Sequence, residues 1–85
     1  MEKVIERSKF EMYLKNVYDP EKLFFILYNC PSSLQPLVKE RIKEVLKEQL
    51  PGISDPEKLF FILYNCPPSL KPLVKERIEE VLASE

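Results

Sequence analysis

At 85 residues the chain supports a single domain with a thin folding margin, and its 13 Lys and Arg nearly cancel its 14 Asp and Glu, for a net charge of −1. That balance argues against phosphate binding as the main task, and a hydrophobic content of 45% excludes a disordered chain. No apolar run approaches the roughly 20 residues that span a membrane, and the charged start MEKVIERSKF has no signal-peptide core, so the expectation is a soluble, cytoplasmic protein without a membrane partner.

Residues 1–18 form the N-terminal helix of this reading. Phe10, Tyr13, Leu14 and Val17 recur at i, i+3, i+4 and i+7. Ser8 and Glu11 have the spacing of a capping box, while Met1, Val4, Ile5 and Met12 lie on the opposite side of a continued helix. The helix is therefore either continuous and apolar on two sides, or restarted at Ser8.

Asp19-Pro20 opens the next helix. Asp offers its carboxylate to free first-turn amides, Pro occupies a position that needs no donor, and Glu21 suits the positive helix end. Leu23 to Tyr28 are apolar without a break, and Pro31 stops the helix after Cys30. Such a helix needs cover from several directions. Its partner starts near Ser33, an N-cap by type, tolerates Pro36 in its first turn, and carries the stripe Leu34, Leu37, Val38, Ile42, Val45 and Leu46. Pro51-Gly52 ends it.

The whole unit is then written again, 36 residues on. Of the 31 positions in 19–49 and 55–85, six differ: Ser32/Pro68, Gln35/Lys71, Lys43/Glu79, Lys47/Ala83, Glu48/Ser84 and Gln49/Glu85. None is a stripe residue, so both copies keep the same packing surfaces. The expected fold is all-α, a five-helix bundle: an N-terminal helix (1–18), a first helical hairpin (19–49), a linker (50–54) and a second hairpin (55–85), with the copies related either by a stacking translation or, the favoured reading, by a compact pseudo-twofold. Identity this close follows from a recent duplication or from a deliberate one, and an engineered tandem duplication with no biological activity is one of three functional readings.

Chemistry is sparse. There is no His for general acid–base work, and all acids except Asp19 and Asp55 are Glu placed on polar helix faces or near caps. Cys30 and Cys66 lack a histidine base and make only half a zinc site, which leaves them as small buried hydrophobes. One Gly cannot build a phosphate loop. No enzyme, cofactor or metal is expected. Phe24, Phe25, Tyr28, Phe60, Phe61 and Tyr64 are the candidates for protein interaction: they either close on each other or stay open to self-association or another protein. Residues 10–17 have the pattern of a cap on the first copy, and no cap follows the second. The leading reading is a non-catalytic helical-repeat scaffold or interaction module.

Leu50-Pro51-Gly52-Ile53-Ser54 resembles the hairpin of the helix-hairpin-helix family, whose usual core reads L-P-G-I-G. The resemblance covers about five residues, with Ser54 in place of the second Gly and Asp55 and Glu57 where small or basic residues are usual. It implies a small five-helix bundle in which hairpin amides at Gly52 and Ile53 contact DNA phosphates, helped by Lys58. The equivalent stretch Leu14 to Tyr18 extends the repeat unit to 14–49 and 50–85. Lys39, Lys43 and Lys47 form an i, i+4, i+8 row that would suit the same task, although Glu40, Glu44 and Glu48 run beside it. Arg41 and Arg77 adjoin the stripe, and their stems are expected to cover it with the charge kept wet.

Overall fold

In the computed structural model, which describes residues 7–84, the chain is all-α: α1 (Arg7–Lys15), α2 (Pro20–Asn29), α3 (Gln35–Gln49), α4 (Pro56–Asn65) and α5 (Lys71–Ala83). Short 3-10 turns, Ser32–Leu34, Leu50–Gly52 and Pro68–Leu70, lead into or out of the longer helices. No strand occurs among the described residues. None of the described helices is long and apolar enough to cross a membrane.

Local chemistry sets the helix ends. The Glu21 amide donates to Asp19 Oδ1 at 3.0 Å and the Glu57 amide to Asp55 Oδ1 at 3.1 Å, which satisfies amides that have no partner inside the helix. α2 and α4 stop at Cys30 and Cys66, both in extended backbone ahead of a proline. Ser33 does not cap α3. It sits inside the 3-10 turn, the N-cap position falls to Leu34, and no side chain caps there. Ser8 likewise lies within α1 rather than capping it. Of the opposite apolar side, Met12 is exposed, and Met1, Val4 and Ile5 lie outside the described residues.

Val38, Ile42, Val45 and Leu46 of α3, and Val74, Ile78 and Val81 of α5, are buried as their spacing requires. They join Leu23, Leu27, Leu59 and Ile62 in one apolar cluster that also takes in Leu14, Val17 and Leu50. Fully burying each large aliphatic side chain is worth about 1.5–3 kcal/mol. α2 packs along α3, and α4 along α5; α1 and the 50–52 turn lie against α3 and α5 in equivalent ways, and α2 touches α4.

The compact pseudo-twofold is not what the structure contains. The molecule measures 56 × 20 × 16 Å with a radius of gyration of 14.3 Å, against about 12 Å for a compact chain of this size. More decisively, identical residues at equivalent positions are unequally covered: Phe24 is 3% exposed and Phe60 49%, Leu46 0% and Leu82 49%. In the other direction Cys66 and Pro67 are buried while Cys30 is half-buried and Pro31 exposed. A twofold through the α2–α4 contact would bury equivalents equally. The copies instead meet through different faces, as in head-to-tail stacking.

Candidate interaction faces

Each repeat presents two faces on its short helix. Pro20, Phe24 and Leu27 lie at i, i+4 and i+7 on α2 and are all buried. They look toward the second repeat, where Ile62, Cys66 and Pro67 are buried in turn. Two crevices border this junction: Pro20 and Glu21 face Lys58, Phe61 and Ile62 across one, and Leu27, Tyr28, Gln35 and Lys39 face Asn65, Cys66, Pro67 and Pro68 across the other. Burial pushes the Cys66 thiol above the usual value, with Lys71 pulling part of the way back. Cys66 is thus a packed thiol.

The equivalent residues on the outer sides of the molecule are less covered among the described residues. On the second repeat Pro56 and Leu63 are half-buried, Phe60 is open, and so is Leu82, the equivalent of Leu46. On the first repeat Ile26 and Cys30 are half-buried and Phe25 is 69% exposed. Tyr28, Phe61 and Tyr64 are also exposed. Of the six aromatic candidates, therefore, only Phe24 is core. Of the two alternatives for the aromatic sides, closure on each other is not what the structure contains, because the junction uses one face from each helix and leaves the other face of each open. α2 and α4 are accordingly not wrapped on all sides.

The arginines do something that the stripe pattern does not reveal. Arg41 Nε donates to the Leu14 carbonyl at 2.9 Å and to that of Val17 at 3.3 Å, while Nη2 donates to Lys15 and Val17 at 3.1 and 3.2 Å. Arg77 repeats this at the second copy, with Nε to Ile53 at 3.1 Å and Nη2 to Pro51 at 3.0 Å. Only 14% and 20% of these side chains is exposed. The guanidinium is not kept wet; it saturates carbonyls left over at the end of the preceding segment. Tyr18 adds its ring face, 5.0 Å from Arg41 Cζ. Residues 14–17, at the end of α1 and just after it, thereby take at the first repeat the place that residues 50–53 take at the second.

Below each arginine runs a matching groove, lined by Leu14, Leu37, Glu40, Arg41 and Glu44 at the first repeat and by Leu50, Leu73, Glu76, Arg77 and Glu80 at the second. The arginine of each is already committed to carbonyls, and a lysine, Lys15 or Lys47, also borders the groove. Among the described residues no group of three metal-binding side chains occurs.

The candidates for nucleic acid are scattered. Gly52 lies in a 3-10 turn without positive φ; the Ile53 amide donates to Leu50 and its carbonyl accepts from Arg77. The Asp55 carboxylate already occupies the opening turn of α4. Lys58 borders the junction crevice beside Glu21. Lys39, Lys43 and Lys47 are exposed on α3, Lys39 at the edge of the other crevice. Comparison with family models, with curated protein sequences and with solved structures finds no match to this chain.

Proposed function

We propose that this chain is a non-catalytic helical-repeat module that binds protein through the open faces of its two short helices. One observation carries the reading: Phe60 and Leu82 are half exposed although the same residues, Phe24 and Leu46, are sealed in the first repeat. An apolar side chain shaped for a junction and left without its mate is a surface prepared for a partner. Phe61 and Tyr64 extend the surface, and aromatic side chains of this kind lose little conformational freedom on binding.

Selection from a displayed-peptide library against the full chain tests the proposal. Enrichment of apolar peptides that bind wild type and fail on Phe60→Glu is the expected result. A library that yields no binder, or binders indifferent to Phe60→Glu, removes it. In the same preparation, duplex DNA at low salt is expected to show no retardation, because the hairpin amide and carbonyl at Ile53 are already paired and Asp55 places a carboxylate at the helix end.

A further inference from the structure

The open faces come with a record of what fits them, because the mate of each is present elsewhere in the same chain. We infer that their partner is a second copy of this protein, docked head to tail by the contact that already joins the first repeat to the second. This rests on the interaction reading above and names its occupant.

Inside the molecule the Phe24 face of the first repeat receives the Ile62 face of the second. On the outside, the Phe60 face is the equivalent of the former, and the Ile26 face, with Cys30, is the equivalent of the latter. Copying the inner junction therefore seats the Ile26 face of one molecule on the Phe60 face of the next. The contact is heterologous, so repeating it gives an open stack rather than a closed dimer.

The chemistry of the rims carries over as well. Across the inner junction Asp19 and Glu21 share a crevice with Lys58; across the outer one Asp55 and Glu57 would meet Lys22 of the incoming copy. Around the other crevice two positions change, Gln35 to Lys71 on the receiving side and Pro68 to Ser32 on the incoming side; Gln35 and Lys71 both reach the carbonyl of the preceding helix, Leu27 at 3.5 Å and Leu63 at 2.6 Å, so the rim changes in charge and the hydrogen bond is kept.

One adjustment is required. Two successive offsets of 36 place residue i of the incoming copy at position i + 72, so its Arg7–Met12 would fall where the end of the receiving α5 and its C-cap, Glu79–Ser84, already lie. The incoming turns yield, since among them only Phe10 is even partly buried, whereas Val81 is sealed in the core of the receiving molecule. Leu14, Val17 and their bonds to Arg41 stay in place. The association is accordingly reversible and dependent on concentration.

Sedimentation equilibrium on the full chain and two variants decides the matter. Wild type is expected to rise from its 10.1 kDa monomer mass past twice that value as concentration approaches roughly 1 mM. Phe60→Glu and Ile26→Glu, each blocking one face, stay monomeric alone, and their equimolar mixture forms a one-to-one dimer and nothing larger. Phe25→Glu, at an exposed site of the same outer face, serves in place of Ile26→Glu if the latter unfolds. A wild type of constant monomer mass, a variant that still dimerises alone, or a mixture that stays monomeric overturns the inference. Library peptides that bind a strictly monomeric wild type would leave the proposed function standing and the stacking refuted.

Discussion

Carbonyls at the end of a helix need donors, and here a guanidinium from the next long helix supplies them. Arg41 makes four such bonds and lies over the Tyr18 ring, whereas Arg77 makes two, and the position equivalent to Tyr18 is Ser54, which has no ring. Hydrogen bonds to charged groups are worth about 1.5–3 kcal/mol. Arg41→Met is therefore expected to lower urea stability by about that amount, Arg77→Met by less, and Arg41→Lys by an intermediate value because an ammonium cannot fork. The salt bridges from the same arginines to Glu44 and Glu80, both at 3.8 Å with exposed carboxylates, add little. The thiols offer another check. Burial raises the folded-state pKa of Cys66, so the unfolded chain gives up that proton first as pH rises. Its contribution to stability is complete below the ordinary thiol pKa and falls above it. Cys66→Ala should remove that part of the alkaline slope, and alkylation followed by mass spectrometry should modify Cys30 before Cys66.

α2 and α4 share one sequence, PEKLFFILYN, and differ only in what surrounds them. The pair is thus an internal control for burial. Phe24→Ala removes a packed ring and leaves a cavity, which costs roughly 3–5 kcal/mol. Phe60→Ala, one repeat on, trims a half-exposed ring and should cost about 1 kcal/mol or less. Denaturant titration of the two variants measures the difference directly, and equal losses would contradict the head-to-tail relation between the repeats. The caps act alike in both copies: Asp19→Ala and Asp55→Ala should each cost about 1 kcal/mol, because each carboxylate takes one amide in the same geometry.

As a whole, the molecule is a short stack with two unlike ends. α1 supplies the first repeat with the segment that α3 and its 3-10 turn supply to the second, so Phe10, Leu14 and Val17 stand in for Leu46, Leu50 and Ile53. That covers the groove side of the first repeat and leaves the outer face of α2 open. The second repeat has nothing after it among the described residues to occupy the Phe60 face. The concentration dependence of the mass, and the one-to-one dimer of complementary variants, belong to this architecture rather than to any single side chain.

The helices, their aspartate caps and the stripes on α3 and α5 could all be read from residue order, because each depends on neighbours within about one turn to two. The repeat was equally plain. What residue order could not settle was which copy of a face is covered, since Phe24 and Phe60 are the same residue in the same local sequence. Burial there depends on position in the stack, a long-range property that the 36-residue offset leaves open: a twofold and a head-to-tail relation keep the same contacts within each unit. The arginine bonds were hidden for a related reason. Their acceptors are backbone carbonyls, which every residue carries, and only the folded chain brings Leu14, Lys15 and Val17 to Arg41.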